Sequence, residues 1–130
     1  MEEVFEFLKE CGTFYLATID GDKPRVSPFG ALNIFEDKLY LQTGKSKNVS
    51  KQMQANPHIE ISGTIGGRWI RVEGEVVRDD RYEAKLDMLE HNPELKSLYS
   101  ADDDNTEVLY LKNAKATFYS FVEAPREFIF

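Results

Sequence analysis

Lysines are concentrated in one part of this acidic chain, between Lys38 and Ile59. These 22 residues contain no aspartate or glutamate, although the chain has 23 acidic residues among 130 and a formal net charge of −7. The centre of the stretch, TGKSKNVSK, mixes three lysines with glycine, serine, threonine and asparagine. Two interpretations fit this pattern: the solvated face of a helix, or a site for an anion.

The anion interpretation depends on a strand-to-helix junction at TGKSKN. Thr43 and Ser46 supply hydroxyl groups there, and Lys45 and Lys47 supply positive charge. If Ser46 caps a helix that begins there, the free N–H groups and the dipole of the helix start favour an anion at the same place. The segment is not a phosphate loop of the Gly-x4-Gly-Lys-Ser/Thr kind, because the glycines are missing. Lys51, one turn further along, is expected to be a solvated lysine.

Two other segments carry groups suited to ligand contact. In PRVSPFG, Pro28 has no N–H to donate, which predicts an edge strand or a bulge and leaves neighbouring backbone groups free. Strand alternation places three side chains on one side of this segment: Arg25, Ser27 and Phe29. In RWIRVEGE, Trp69 and Arg71 share the polar face of a strand. That pair suits an interface or a planar ligand as well as an ordinary exposed barrel face.

Other chemistries lack the necessary residues. Cys11 is the only cysteine, which excludes an intrachain disulfide and a cysteine-based metal cluster. His58 and His91 lack the spacing of zinc ligands. The stretch ADDDNT lacks the glycine and the closing acid of a calcium loop, and no Gly-x-Ser-x-Gly nucleophile elbow is present. We therefore expect neither a metal centre nor a hydrolytic nucleophile.

The overall composition predicts one soluble domain over residues 1–130. Hydrophobic residues make up 42% and charged residues 30%, and the length suits a single core. A sequence pI of about 4.9 argues against a surface that coats nucleic acid. No apolar run approaches the length of a membrane span, and the acidic start MEEVFEFLKE does not resemble a secretory signal. The default expectation is a cytoplasmic protein without a membrane or nucleic-acid partner.

Hydrophobic periodicity predicts three helices and about seven strands. The helices are expected over 2–11, from Ser46 to the Asn56-Pro57 pair, and over 80–99 with a break at Asn92-Pro93. In the first of them, four residues have helical spacing: Val4, Phe7, Leu8 and Cys11. The strands are expected at 13–20, 24–35, 38–43, 58–65 and 68–79, followed by a last pair formed by EVLYLKN and KATFYSF. The Gly66-Gly67 turn predicts that 58–65 and 68–79 form a hairpin. This order predicts a mainly β protein, namely a closed or nearly closed antiparallel barrel with a few helices at its ends.

Taken in order, four segments resemble the pyridoxamine 5′-phosphate oxidase-like family of FMN-binding split barrels. They are FYLATIDGDKPRVSPFG, LYLQTGKSKNVSKQMQANPHIEISG, WIRVEGEVVRDD and LKSLYSADDDNTEVLYLKNAKATFYSF. The resemblance covers almost the whole chain and implies a six-stranded antiparallel FMN-binding split barrel. The seven strands predicted from the periodicity agree with a six-stranded barrel if one of them lies outside the barrel or two of them merge. The resemblance also implies a homodimer, with one FMN in each of two clefts at the interface.

The resemblance further implies which residues contact FMN. The PRVSPF strand would bond the edge of the isoalloxazine ring, largely through its backbone, along Arg25, Val26, Ser27, Pro28 and Phe29. The segment after the third strand would hold the phosphate, with its site formed by Gln42, Thr43, Lys47 and Asn48. Trp69 and Arg71 would reach the flavin from the partner chain or from the adjoining strand.

The sequence departs from the family pattern at two places that bear on the expected activity. The phosphate motif Ser-Arg-Lys is replaced by Ser46-Lys47-Asn48, which leaves the number of positive ligands open. True oxidases continue into an arginine-containing segment that binds pyridoxal phosphate, whereas this chain stops at Phe130. We therefore expect an FMN-binding oxidoreductase that acts on an unknown small substrate or electron acceptor, not a true pyridoxamine phosphate oxidase. The alternative is a non-catalytic carrier or sensor of FMN, haem or another planar anion.

Overall fold

The computed structural model describes all residues from 1 to 130 and contains three α-helices, one 3₁₀ helix and eight β-strands. The helices are α1 (Glu2–Cys11), α2 (Asn48–Ala55), α3 (Tyr82–His91) and the 3₁₀ helix Pro93–Ser97. The strands are β1 (Phe14–Asp20), β2 (Lys23–Phe29), β3 (Leu32–Phe35), β4 (Lys38–Gly44), β5 (His58–Ile65), β6 (Arg68–Arg78), β7 (Thr106–Ser120) and β8 (Arg126–Ile129). None of the helices has the length and apolar character needed to span a membrane.

The strands differ from the sequence prediction at three places. The segment predicted as one strand over 24–35 divides into β2 and β3, with a break at Gly30 and Ala31. The predicted pair EVLYLKN and KATFYSF is one continuous strand, β7, which passes through Asn113 in the left-handed conformation (φ 51°). Asparagine tolerates that conformation, so the apparent turn is a bulge, and β6 has the matching irregularity between Glu73 and Glu75. The third difference is β8, which the sequence pattern did not predict.

The helix predicted over 80–99 divides at the proline, as expected. Asn92 has a non-helical backbone (φ −133°, ψ 67°) because a residue before proline disfavours the helical conformation. Its side-chain amide donates to the carbonyl of Leu32 at 3.2 Å and to that of Met88 at 3.1 Å. These bonds tie the break to the start of β3, and the 3₁₀ helix therefore begins beside the break between β2 and β3.

The strands form one antiparallel sheet in the order β2-β1-β5-β6-β7-β4-β3, with β8 also paired to β7. The two ends of this path, β2 and β3, are consecutive in the chain but do not pair. β2 comes close to β4 without pairing with it, so the sheet curls into a barrel that stays open beside β2. The prediction of a mainly β split barrel is confirmed, with eight strands instead of six.

Two helices pack one face each against the barrel core. Val4 and Leu8 of α1 are fully buried, as their helical spacing predicts. Val49 and Met53 of α2 join the same apolar cluster. The hydroxyl of Thr18 in β1 also donates to the side chain of Gln52 in α2 at 2.6 Å. These contacts hold α2 beside the first two strands, with its start near the barrel opening.

A polar network joins β4 to the connection between β6 and α3. The Tyr40 hydroxyl donates to Asp79 at 2.7 Å, and the Arg81 guanidinium donates to Asp79 at 2.8 Å and to Glu36 at 2.7 Å. The hydrogen bonds from Arg81 lower the pKa of Asp79 to about 2, against the opposing effect of burial. Burial, followed by the hydrogen bond to Asp79, raises the pKa of Tyr40 above its usual value. Asp79 therefore stabilises this connection as a carboxylate.

A second ion pair joins β6 and β7. Arg78 of β6 binds Glu107 of β7, whose side chain is only 1% exposed. One carboxylate oxygen of Glu107 has no hydrogen-bond partner. The pair lines a cavity of about 370 Å³ that also contacts Met53 and Gln54 in the second half of α2. A buried charge of this kind depends strongly on its partner.

Candidate functional site

The start of α2 presents free backbone N–H groups. The helix begins at Asn48 after the N-cap residue Lys47, and no side chain caps it. The N–H groups of Asn48 and Val49 donate to no protein atom. The prediction that Ser46 caps the helix is wrong, because the preceding turn extends one residue further and the N–H of Ser46 is bound to Asn105. An uncapped helix start of this kind favours an anion.

This helix start borders a cavity of about 650 Å³ between β2 and β4. Its volume lies within the range of small-molecule and cofactor sites, roughly 300–1,000 Å³. Seven of the residues predicted to form the site line this cavity: Ser27, Pro28, Phe29, Gln42, Thr43, Lys47 and Asn48. The fold brings them together because β2 and β4 flank the barrel opening and α2 follows β4 directly.

The outer edge of β2 forms one wall of the cavity. β2 pairs with β1 over its whole length and has no strand on its other side, which confirms the prediction of an edge strand. Unpaired backbone groups on such an edge are available to a ligand. Phe29, at the end of β2, is buried against Phe14 with ring centroids 6.3 Å apart. This wall therefore combines backbone polar groups with an apolar anchor.

Arg25 and Val26 line a neighbouring cavity of about 610 Å³. That cavity shares three residues with the first, so the two adjoin along β2 and α2. The Arg25 guanidinium binds Asp20 at 3.1 Å, and both side chains are about half exposed (49% each). The charge of Arg25 is therefore at the opening, but Asp20 partly compensates it.

Trp69 and Arg71 lie in neither of these cavities. Trp69 stacks on Tyr119, with ring centroids 5.3 Å apart and an angle of 8° between the planes. The Arg71 guanidinium lies 5.7 Å from the centre of the same Tyr119 ring. Phe121, 83% exposed, packs on Trp69 at 5.2 Å. Within one chain these residues form a partly exposed aromatic patch on β6 and at the end of β7, and two strands, β1 and β5, separate β6 from β2.

The three lysines of TGKSKNVSK have different surroundings. Lys45 binds Asp80 at 3.4 Å and does not line the cavity. Lys51 is exposed and lines the neighbouring cavity. Lys47 forms no ion pair and is the one cationic side chain that lines the larger cavity. An uncompensated ammonium group, the Thr43 hydroxyl and two free N–H groups together form a donor set that suits a phosphate.

The sequence did not predict the wall of the cavity that lies opposite β2. Four residues after α3 line the cavity: Glu94, Leu95, Leu98 and Tyr99. Glu94 is the one carboxylate in the lining, and Leu98 is 79% exposed. The Asn92-Pro93 pair indicated a break in the helix, but the direction of the chain after the break depends on the bond from Asn92 to Leu32.

Comparison with known proteins agrees with this geometry. The chain matches the family model described as pyridoxamine 5′-phosphate oxidase over residues 1–120. No curated protein matches the chain. A solved NimC/NimA family protein from Clostridium acetobutylicum is 48% identical, with a TM-score of 0.97 over 100% of this chain and 92% of its own.

Two more distant structures show the same fold. A pyridoxamine 5′-phosphate oxidase-related, FMN binding protein from Nostoc punctiforme is 13% identical, with a TM-score of 0.66 over 99% of this chain and 93% of its own. A haem binding protein from Mycobacterium smegmatis is 12% identical, with a TM-score of 0.71 over 94% of this chain and 57% of its own. The antiparallel barrel that stays open beside β2 therefore has the fold of the split barrels. The chain belongs to the pyridoxamine 5′-phosphate oxidase family.

Proposed function

We propose that the protein is a single FMN-binding domain that uses FMN for redox chemistry on a small substrate or electron acceptor. The proposal is carried by the uncapped start of α2, where Lys47 has no ion-pair partner, beside the unpaired edge of β2. Membership of the family supports the same cofactor. The similarity to an FMN binding protein from Nostoc punctiforme agrees with it.

The residues around the cavity have distinct roles in this proposal. Lys47, Thr43 and the two free N–H groups of α2 would hold the phosphate. The outer edge of β2 near Ser27 would bond the ring edge, and Phe29 would pack against the ring as an apolar wall. FMN, when bound, supplies hydride or electron transfer, while the protein orients it and sets the local charge. Arg25 would stabilise negative charge that develops on the ring.

We also propose a homodimer in which Trp69 and Arg71 of the partner subunit complete the site. The partly exposed patch of Trp69, Tyr119 and Phe121 supports this, because aromatic residues and arginine at the surface are typical of interfaces. Light scattering of the purified protein should give twice the mass of the chain. The variant Trp69→Ala/Phe121→Ser should shift the protein towards monomer and weaken FMN binding. A wild-type protein that is monomeric with FMN bound would contradict this arrangement.

The alternative is a non-catalytic carrier or sensor of FMN or haem. The similar structure from Mycobacterium smegmatis is that of a haem binding protein, so haem has to be tested as a ligand as well. His58 and His91 are absent from the lining of the larger cavity, and histidine is the commonest haem ligand in oxygen-binding and peroxidase haem proteins. The donor set at α2 suits a phosphate better than an axial ligand to iron.

The visible spectrum of the purified protein and a ligand titration test these functions. We expect flavin absorption, or recovery of it when the apoprotein is titrated with FMN, and weaker binding of riboflavin and haemin. NADH or NADPH should then reduce the bound flavin, and an artificial acceptor should reoxidise it. Flavin binding without reduction by any nicotinamide donor would favour the carrier. A colourless protein that does not bind FMN would refute the proposal.

A further inference from the structure

The turn between β4 and α2 is held by Asn105, a residue distant in the sequence. The backbone carbonyl of Asn105 accepts the N–H of Lys45 at 2.7 Å, and its side-chain Oδ1 accepts the N–H of Ser46 at 3.0 Å. The turn is completed by the N–H of Lys47, which donates to the carbonyl of Gly44 at 3.0 Å. All three N–H groups of the turn are therefore bound, and the next two along the chain are the free groups at the start of α2.

Asn105 is itself held by a carboxylate in the loop before β7. Asp103 accepts the N–H groups of Asn105 and Thr106 at 2.8 Å each and that of Ser100 at 2.9 Å. Although burial raises the pKa of Asp103, these three hydrogen bonds and a fourth from the Thr106 hydroxyl at 3.1 Å together lower it to about 2. Asp103 therefore stays ionised at neutral pH, and the loop supports the turn before α2.

Tyr99 lies beside the same turn at the edge of the cavity. Its hydroxyl is 3.1 Å from the position that a Cβ on Gly44 would occupy, as is Nδ2 of Asn105. Its backbone is fixed by the bond from its N–H to the carbonyl of Leu95 at 2.9 Å. Tyr99 lines the cavity together with Lys47, and its hydroxyl has no hydrogen-bond partner in the protein. A glycine at position 44 leaves room for both neighbouring side chains.

We propose that Asn105 is a positioning residue of the phosphate site and that Tyr99 donates its hydroxyl to the phosphate. This inference rests on the proposed binding of FMN in the same cavity. Asn105 keeps the turn in the form that leaves two helix N–H groups free, and Tyr99 adds a neutral donor to the cavity that the cation of Lys47 also lines. Both residues thereby act on the phosphate and not on the ring, so they discriminate FMN from riboflavin.

Titration of three variants with FMN and with riboflavin tests this inference. Tyr99→Phe removes only the hydroxyl, and we expect the dissociation constant for FMN to rise about fivefold to tenfold. Asn105→Ala should raise it about tenfold, because the turn loses its side-chain acceptor. Asn105→Asp keeps an acceptor for the N–H of Ser46 but adds a negative charge, and it should raise the constant at least as much. The affinity for riboflavin should change less than about twofold in all three.

Matched controls separate this role from general structural damage. Asn56 also accepts a backbone N–H through its side chain, that of His58 at 3.1 Å, but at the other end of α2. Tyr15 is an exposed tyrosine of β1 outside the larger cavity. Asn56→Ala and Tyr15→Phe should leave the ratio of the FMN and riboflavin constants unchanged.

The outcomes distinguish this inference from the proposed function. If the wild-type protein binds no FMN, the proposed function fails and this inference fails with it. If the wild-type protein binds FMN but the variants lose FMN and riboflavin equally, or lose neither, only this inference is overturned. If Asn105→Ala does not fold, Asn105→Asp and Tyr99→Phe decide the question, with thermal unfolding as the check of their fold.

Discussion

Replacing Lys47 with methionine tests the phosphate site at its one cationic side chain. Methionine keeps most of the length of the aliphatic stem and removes the ammonium group. Lys47 is exposed, forms no ion pair and makes no capping bond, so the change should leave the fold unaltered. The effect on FMN binding should therefore report the contact with the phosphate alone.

The expected magnitude follows from the surroundings of Lys47. A hydrogen bond to a charged group contributes about 1.5–3 kcal/mol. We expect the lower part of this range, about 1.5–2 kcal/mol, because water and salt screen an exposed lysine. The free N–H groups of Asn48 and Val49 also remain in the variant. The dissociation constant for FMN should accordingly rise about 10- to 30-fold.

Quenching of flavin fluorescence on binding provides the assay. FMN and riboflavin are titrated in parallel at two ionic strengths, and only FMN should respond to the substitution. The loss should be smaller at high salt, where the wild-type lysine is already screened. Lys45→Met is the matched control, because Lys45 is bound to Asp80 and lies outside the cavity lining. Lys51→Met tests the neighbouring cavity.

Two results would contradict this reasoning. An unchanged dissociation constant for FMN in Lys47→Met would show that the phosphate lies elsewhere. A larger loss in Lys51→Met than in Lys47→Met would place the phosphate in the neighbouring cavity, and the role assigned to the start of α2 would be wrong.

Three further substitutions test the fold around the site. The pKa of Asp79 is about 2 in the folded protein and ordinarily 3.8, so its stabilisation is present above about pH 4 and is lost as the pH falls towards 2. When the pH falls towards 2, the free energy of unfolding measured by urea denaturation should decrease by about 2 kcal/mol less in Asp79→Asn than in the wild type. Gly63→Ala places a methyl group 2.9 Å from the Cys11 sulfur and should lower the free energy of unfolding by about 1–3 kcal/mol. The double variant Gly63→Ala/Cys11→Ala should recover most of that loss, as measured by thermal unfolding. Glu107→Gln removes the buried charge that binds Arg78, whose side chain is 31% exposed, and should lower the free energy of unfolding by about 1–3 kcal/mol; an unchanged value would show that water solvates the pair.

Elements with a strong local pattern were predictable from the sequence. The spacing of Val4 and Leu8 places one face of α1 in the core, and the observed helix ends at the predicted residue. The Gly66-Gly67 turn joins β5 and β6 in the predicted hairpin. Pro28 marked β2 as an edge strand, because a residue without an N–H weakens pairing on one side. In each case neighbouring residues alone determine the conformation.

Other elements depended on distant partners. Asn113 looked like a turn between two strands, but β6 pairs with β7 on both sides of it and makes it a bulge. Ser46 looked like a helix cap, but Asn105 binds its N–H and the helix begins one residue later. The four segments that resemble the family did not predict Tyr99 as a residue of the site. The reason is that the bond from Asn92 to Leu32 decides where the chain runs after α3.

The sequence by itself determined that TGKSKNVSK lies at a strand-to-helix junction free of acidic residues, where an anion is favoured by local charge and backbone geometry. Only the tertiary structure showed that Lys45 binds Asp80, whereas Lys47 is left without a partner beside the opening. The tertiary structure also placed Trp69 and Arg71 away from that opening within one chain. The physical reason is that charge pairing and proximity depend on long-range contacts, which local residue patterns do not specify.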